Sequence, residues 1–335
     1  MNNWQKVKIK DVTNKVVDNR GKTPKNNTEC GIPLLEVNAL TETKKTPTYE
    51  VVRKYVDTET YNNAFRSGHP QKGDILIPTV GTIGNVCMAD NRQCCIAQNV
   101  IGLRINKDLC VPEYLYYTLK NKTTQRRLLN LDIGGVQPSI KVPHLLNLEI
   151  FLPDFFTQKK IAYFLSSLDD KIELNAQINH NLEEQAKAIF KSWFVDFEPF
   201  GYKAPCTWES GILGDFVEIK RGGSPRPIQN YLSNSGLRWL KISDATACPS
   251  PFLIDIKEHI KESGLSKTVL LNTGALVLSN SATPGIPKIL DVDSCIHDGW
   301  LYFPKSKLSN EFLFLFFKHI RSNLVSLGNG SVLQI

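Results

Sequence analysis

The chain has 335 residues, 41% of them hydrophobic, and a formal net charge of +7. This length accommodates two domains with separate cores, and no stretch approaches the roughly 18 apolar residues that would span a membrane. The N-terminal MNNWQKVKIK lacks the apolar core of a signal peptide, so the expected location is cytoplasmic.

An internal repeat organises the sequence. Trp4 and the following VKIKDV return as Trp208 and GILGDF. Later blocks keep their order: GIPLLEVNAL matches GLRWLKISDA, KGDILIPTVGTIGNV matches TGALVLSNSATPGIP, VPEYLYYTLK matches SNEFLFLFFK, and GGV matches GSV. The spacing between blocks changes slightly, as is typical of loops on a shared scaffold.

Each copy is predicted to be a mixed domain of the α+β class. Brief apolar runs entered through glycine predict buried strands at Ile75–Ile77 and Leu276–Leu278. Helical spacing predicts a helix over Glu113–Leu131 and a counterpart over Glu311–Leu327. A further strand is predicted over Leu145–Pro153, at the end of the first copy.

The connector between the copies has a different pattern. Thr157–Phe194 contains no Gly or Pro and predicts one helix of about 55 Å, at about 1.5 Å per residue. Seam residues alternate in steps of four and three, which predicts pairing with another helix. They are Ile161, Leu165, Leu168, Ile172, Asn175, Asn179, Leu182, Ala186 and Ile189. The predicted domains are therefore 1–155, a helix over 156–198, and 199–335.

Two questions about this helix stay open at the sequence level. Asn175 and Asn179 either fix register and antiparallel pairing or mark a local loss of regularity. Residues 199–335 offer no second long helix, so the partner comes from another chain or the helix lies along one of the domains.

The charge is unevenly distributed. Residues 1–156 carry a net +6 and 199–335 a net +3, whereas 157–198 carry −2. Basic globular units are compatible with polyanion binding. The eight cysteines and six histidines show no metal-ligand spacing, which predicts buried reduced thiols and no metal site.

Catalytic motifs are missing from the sequence. There is no GxxxxGK[ST] phosphate loop, no GxGxxG after a strand, no GxSxG elbow and no HExxH, and GTIGNV lacks the Lys of a phosphate loop. No motif for methyl transfer to a base is present either. We therefore expect that the chain alone is not an enzyme.

The repeated blocks around a long helix, with the entry Trp and GGVQPSIK, resemble the specificity subunits of type I restriction-modification systems. Gln137–Pro199 is similar to the end of a target-recognition domain that continues into that family's spacer helix. The resemblance covers nearly the whole chain. It implies two target-recognition domains that each read half of a split DNA sequence, and paired antiparallel spacer helices whose length sets the gap.

The resemblance also implies partners. The subunit would assemble on double-stranded DNA with two methylation subunits, which use S-adenosylmethionine to methylate adenine, and with restriction subunits that use ATP and Mg. No cofactor would be bound by this chain. One helical turn of about 5.4 Å would correspond to between one and two base pairs, so four added residues should lengthen the gap by about one base pair.

Candidate DNA contacts are polar or basic residues of the predicted loops, because backbone amides and basic side chains bind phosphate and polar side chains reach base edges. In the first copy they are Arg20, Lys22, Lys25, Thr79, Thr82, Gln98, Asn99, Gln137 and Ser139. In the second copy they are Lys220, Arg221, Ser224, Arg226, Asn280, Ser281, Thr283 and Asp298. For each residue the alternative is a structural role in a turn or a solvated charge.

Two other functions are compatible with parts of this pattern. The chain could be an interaction scaffold whose basic domains bind protein or RNA and whose helix dimerises, or it could itself be a nuclease or methyltransferase, which the missing motifs disfavour. The family plan includes a second spacer helix, which this sequence lacks. We therefore expect either a truncated or alternatively joined product, or a homodimer that pairs two copies of the helix.

Overall fold

The computed structural model describes residues 4–21, 24, 28–134 and 137–327. By its internal contacts the chain divides into two units, Met1–Ala176 (unit 1) and Gln177–Ile335 (unit 2). The boundary falls inside the long helix, so each unit includes part of it. No helix in the described ranges combines the length and apolar character needed to cross a membrane.

Unit 1 is a mixed helix and sheet domain. Its elements are β1 (Gln5–Lys8), β2 (Thr13–Asp18), β3 (Ile32–Leu35), β4 (Tyr55–Val56), α1 (Thr58–Ala64), β5 (Ile75–Pro78), β6 (Cys87–Met88), β7 (Cys95–Ile96), β8 (Val100–Ile105), α2 (Pro112–Lys120), α3 (Lys122–Leu129), α4 (Val142–Leu146) and β9 (Glu149–Leu152). The sheet orders are β2-β8-β5-β6, β4-β3-β7 and β1-β9. β5 is buried at every position, as expected for a central strand covered on both faces.

A single helix, α5 (Phe155–Phe194), follows β9 and is about 60 Å long at about 1.5 Å per residue. Asp154 precedes it and accepts a hydrogen bond from the backbone N–H of Thr157 at 3.0 Å. Gln158 is buried against unit 1, where its Oε1 accepts from the Val111 N–H at 2.9 Å and its amide donates to the Pro153 carbonyl at 2.9 Å. These bonds fix the start of the predicted helix on unit 1.

Unit 2 repeats this plan. Its elements after α5 are α6 (Leu213–Phe216), β10 (Val217–Arg221), β11 (Leu232–Ser233), β12 (Leu237–Leu240), α7 (Ile242–Ala247), β13 (Phe252–Leu253), β14 (Glu258–Ile260), β15 (Val269–Leu271), β16 (Leu276–Ser279), β17 (Pro287–Leu290), β18 (Ser294–Ile296), β19 (Trp300–Ser306), α8 (Asn310–His319) and α9 (Arg321–Leu327). Its sheet orders are β10-β19-β16-β17-β13 and β11-β14-β12-β18-β15. The predicted class, two similar mixed domains with a long helix between them, is confirmed.

The repeat extends to backbone detail. Gly31 has φ 135° and Gly236 has φ 115°, conformations that other residues rarely adopt. A Cβ at Gly31 would lie 2.6 Å from the Val56 carbonyl oxygen, and one at Gly236 would lie 2.7 Å from that of Ile260. The same turn therefore requires glycine before β3 and before β12. The final repeat block, Gly330–Val332, lies outside the described residues.

Some predicted boundaries were wrong. The helix predicted over Glu113–Leu131 is broken at Asn121, whose backbone is extended and whose side chain accepts from the Thr123 N–H at 2.9 Å to cap α3. The strand predicted from Leu145 begins only at Glu149, because the preceding residues form α4. The counterpart predicted over Glu311–Leu327 is likewise two helices, α8 and α9.

Candidate nucleic-acid interface

A polar cleft in unit 1 brings together several of the predicted residues. It has a volume of about 370 Å³ and lies where β3, β5 and β7 end. Its polar lining residues are Glu36, Asn38, Lys54, Gln98, Asn99 and Gln137. We call it the unit 1 cleft. Of these, Gln98, Asn99 and Gln137 were predicted, whereas Glu36, Asn38 and Lys54 were missed.

Two predicted residues support the cleft from within. Thr79 is buried, and both its backbone N–H and its hydroxyl donate to the Asn99 carbonyl, at 2.8 and 3.3 Å. Ser139 pairs with Val80 as an isolated β-bridge, and its backbone N–H donates to Asp132 at 2.8 Å. These contacts give Thr79 and Ser139 positioning roles, since they hold the segments that carry Asn99 and Gln137.

The remaining unit 1 candidates are placed differently. Arg20 is partly exposed, and its Nε and terminal amino group donate to the Asp18 carboxylate at 2.9 and 2.5 Å. Thr82 is exposed beside the cleft-lining Gly81. Lys22 and Lys25 lie outside the described residues.

In unit 2 three predicted residues converge on Asp298, one on its backbone carbonyl and two on its carboxylate. The Arg221 Nε donates to the Asp298 carbonyl at 2.7 Å, the Ser224 hydroxyl to Asp298 Oδ1 at 2.5 Å, and Arg226 to Oδ2 at 3.2 Å. The hydrogen bond from Ser224 holds the pKa of Asp298 below its ordinary value. Asp298 therefore stays ionised and orders Arg226 through its carboxylate, while its backbone carbonyl orders Arg221 at the end of β10. We call Arg221, Ser224, Arg226 and Asp298 the Asp298 cluster.

A second loop lies next to this cluster. Asn280 is buried, and its backbone N–H donates to the Gly299 carbonyl at 2.8 Å. The Thr283 N–H donates to the Ser281 carbonyl at 2.7 Å within a tight turn. A Cβ at Gly299 would lie 2.4 Å from the Ser281 hydroxyl oxygen. The loop is thus packed closely on the residue after Asp298. Lys220, another predicted contact, instead forms an ion pair with Glu218, with its Nζ 3.0 Å from the Glu218 Oε1.

The two sites occupy the same place in the two copies. In unit 1 the parallel pairs are Leu34 with Cys95 and Leu35 with Ile96. In unit 2 they are Trp239 with Cys295 and Leu240 with Ile296. Cys95 is thus equivalent to Cys295, and Gln98 and Asp298 each lie three residues further along the chain. Gln98 is therefore equivalent to Asp298. The repeated block GIPLLEVNAL could have identified Glu36 as a candidate, because Glu36 directly follows the strand β3 in that block.

The helix α5 has a third candidate surface. Of its predicted seam residues, Ile161 packs on the core of unit 1 and Leu165 and Ala186 are half-buried. Leu168, Ile172, Leu182 and Ile189 are 44%, 67%, 57% and 57% exposed. Asn175 and Asn179 are also exposed. Exposed apolar residues along one helical stripe are a surface suited to a second helix.

No metal site emerges from the part of the chain that the structure describes, where no group of three or more His, Cys, Asp or Glu side chains is suitably placed. Most described thiols are buried, and burial raises the pKa of Cys87 and Cys295 to about 11. Cys30 and Cys206 are exposed, so the prediction that the thiols are buried was wrong for these two.

Comparison with known proteins gives a consistent result. The family model described as "Type I restriction modification DNA specificity domain" matches residues 1–184 and 205–335. The MjaIX specificity subunit of Methanocaldococcus jannaschii is 32% identical over 225 residues, which are 63% of this chain and 50% of that protein. The HindI specificity subunit of Haemophilus influenzae is 37% identical over 139 residues, 40% of this chain and 30% of that protein.

The chain thus spans half or less of the length of these two relatives in the matched regions. Among solved structures, the type I restriction-modification S subunit from M. genitalium superposes with a TM-score of 0.66 at 17% identity. That match covers 99% of this chain and 82% of the other, and it supports the fold.

Proposed function

Since this chain belongs to the type I restriction-modification DNA specificity family, we propose that it reads a bipartite DNA site, one half with each unit. The observation that carries the proposal is the duplicated placement of polar loops: the unit 1 cleft and the Asp298 cluster follow the same strands of two equivalent sheets. Two such sites suit two half-sites better than one continuous sequence.

The chemistry of the two sites fits different parts of DNA. Amide side chains such as Asn38, Gln98 and Gln137 can donate and accept on a base edge, and Asn or Gln pairs bidentately with adenine. Arg221 and Arg226, ordered by Asp298, supply the planar cations that bind phosphate or guanine. Thr82 and Ser281, at the edges of the two sites, are additional candidate contacts.

The helix α5 would set the distance between the half-sites. It is continuous over 40 residues, and its central residues are exposed, so its length is not fixed by packing on a domain core. In this role the number of residues in the helix determines the number of base pairs between the two half-sites. Its exposed seam would take a second spacer helix.

The chain is the specificity component and not the enzyme, as its family membership and the names of its relatives indicate. We propose that two methylation subunits carry S-adenosylmethionine and methylate adenine at the site that this chain selects. Restriction subunits would use ATP and Mg to translocate and cut. Under this proposal the chain contributes sequence selection and assembly, and none of these cofactors contacts it.

The Asp298 cluster offers a direct test. Replacing Arg221 and Arg226 together with Ala should weaken binding of the full chain and its methylation partner to duplex DNA. Because each phosphate contact contributes about 0.9 to the slope of log K against log salt, the slope should fall by up to about 2. Binding would be measured by fluorescence anisotropy across a salt series.

The matched control is the double variant Lys107→Ala/Lys305→Ala. It removes two exposed cations near the C-terminal ends of β8 and β19, whereas Gln98 and Asp298 precede the N-terminal ends of these strands. It should bind nearly as the parent does. An unchanged salt slope for the arginine variant would contradict the DNA assignment of the cluster. Binding of RNA or protein in preference to duplex DNA would favour the scaffold function instead.

A further inference from the structure

The two units carry the same salt bridge with its charges exchanged. In unit 1, Glu36 directly follows β3, and its Oε1 lies 2.6 Å from the Nζ of Lys54. In unit 2, Lys241 directly follows β12 and is paired with Glu258 on β14. Both pairs are partly exposed.

The strand registers make these positions equivalent. On the antiparallel side, Pro33 is opposite Tyr55 in unit 1, and Arg238 is opposite His259 in unit 2. One step further along, the Leu34 N–H donates to the Lys54 carbonyl at 2.9 Å, and Trp239 is opposite Glu258. In each unit the ion pair therefore joins the residue that follows β3 or β12 to an equivalent residue on the antiparallel side, Lys54 in unit 1 and Glu258 in unit 2.

Stability does not explain the exchange. An ion pair contributes the same attraction whichever strand carries the cation, and partly exposed pairs contribute only about 0–1 kcal/mol. The lysine and glutamate side chains are exposed to similar extents in the two pairs, although one carboxylate oxygen of Glu258, Oε2, is buried. The polarity therefore bears on what approaches the surface.

Both pairs border the candidate contacts. Glu36 lines the unit 1 cleft together with Asn38, Gln98 and Gln137. Lys241 is close enough to His297 to act on it electrostatically, and the His297 Nδ1 lies 3.8 Å from the Asp298 carboxylate. Whatever occupies the two sites thus meets a carboxylate at one and an ammonium at the other, in the same structural position.

We propose that Glu36 and Lys241 are the residues that make the two units select different bases. Glu36 accepts a hydrogen bond from the amino group of cytosine, and Lys241 donates to O6 or N7 of guanine. The ion pair uses one carboxylate oxygen of Glu36 and one of the three N–H donors of Lys241, so each group has capacity for a base. This assignment rests on the proposed function, because it supposes that these surfaces face DNA.

The test exchanges charges while keeping each salt bridge. In the double variant Glu36→Lys/Lys54→Glu the pair is retained with the polarity of unit 2, and Lys241→Glu/Glu258→Lys is the reciprocal change. Each is assembled as a full chain with its methylation partner and used to select duplexes from a randomised library. We expect each exchange to change the base preference in one half-site only and to weaken binding to the parental site by about 10- to 100-fold.

Three further variants keep the result interpretable. Lys6→Glu/Glu149→Lys exchanges a cross-strand pair between β1 and β9, outside the cleft, and should leave both half-sites unchanged. Glu36→Gln and Lys241→Gln remove the charge and keep a polar side chain. Should a charge exchange fail to fold by its melting curve, the corresponding single variant should still relax base preference in the same half-site.

The outcomes separate the two levels of the proposal. If the parent selects a bipartite sequence and the exchanges alter neither half-site, or alter both together, the assignment of Glu36 and Lys241 is overturned. If the parent protein with its partner selects no sequence at all, the proposed function fails instead.

Discussion

His297 is a partly buried histidine next to Asp298, and its neutral form holds the loop in place. Its Nδ1 accepts a hydrogen bond from the Gly299 N–H at 2.8 Å, and its ring centroid lies 6.0 Å from that of Trp239 and 6.4 Å from that of Trp300. Burial lowers the pKa of His297, with the nearby charges of Asp298 and Lys241 acting in opposite directions. Protonation at Nδ1 would remove the acceptor that Gly299 uses.

The depressed pKa of His297 predicts a loss of stability in mild acid. The unfolded chain binds a proton at the ordinary value near 6.5, whereas the folded chain does so only at lower pH. The stability that this difference contributes is present above pH 6.5 and is lost as pH falls from there through the folded pKa. Urea denaturation at pH 7.5 and 5.5 should therefore show a lower midpoint at pH 5.5, and His297→Gln should reduce the difference.

His180→Gln, at an exposed position on α5, is the control for removing a histidine. His69 is also partly buried with its pKa lowered by burial, so a residual pH dependence should persist in the His297 variant. An identical pH dependence in parent and His297→Gln would contradict the role given to this side chain.

At the scale of the element, α5 is fixed at its ends and exposed in its middle. Gln158 is buried near its start, and Phe190 is buried near its end, where its ring lies 5.3 Å from that of Phe312 in unit 2. Every residue over 171–182 is exposed. Length changes in this central region would leave both domain cores intact.

An insertion after Gln177 therefore tests the spacer role. Four added alanines, which favour helix, lengthen the helix by about 6 Å at about 1.5 Å per residue. At roughly 3.4 Å per base pair, the recognised gap should grow by between one and two base pairs. The measurement is mapping of methylated adenines, or duplex selection, with parent and insertion variants.

Gln177→Ala, without an insertion, is the control and should keep the parental spacing. A variant that folds, binds DNA and recognises the unchanged gap would show that α5 is not the spacer.

At the scale of the whole molecule, the seam of α5 is symmetric about Gln177. Ile172 and Leu182 are each five residues from that centre, and Asn175 and Asn179 are each two residues from it. In an antiparallel pair of identical helices, Ile172 of one copy would face Leu182 of the other, and Asn175 would face Asn179. We propose that two copies of this chain pair in this way, because only this register places both seam asparagines of one helix against asparagines of the other.

Charge pairs test that register. Ile172→Lys/Leu182→Lys would place like charges opposite each other and should give monomers in sedimentation equilibrium at micromolar concentration. Ile172→Glu/Leu182→Lys would place opposite charges together and should dimerise more strongly than the Lys/Lys variant. Gln177→Lys, on the outer face, should behave as the parent. A parent that sediments only as monomer would exclude the pairing.

Much of the architecture was determined by the sequence alone. The repeated blocks predicted two similar domains, because similar sequences adopt similar folds. The absence of Gly and Pro over Thr157–Phe194 predicted the long helix, because a helix depends on local propensity and on the period of apolar residues. Breaks such as Asn121 were missed because capping by a side chain is a local competition that a 3.6-residue period does not reveal.

The composition of the candidate sites was decided only by tertiary structure. Sequence reasoning selected Gln98, Asn99 and Gln137 as loop residues, but it could not bring them together with Glu36 and Asn38, which are distant along the chain. It also treated Thr79 and Asn280 as contacts, although sheet packing buries both. Strand pairing fixes which loops meet at one edge of a sheet, and that pairing is a long-range property that no short segment of sequence encodes.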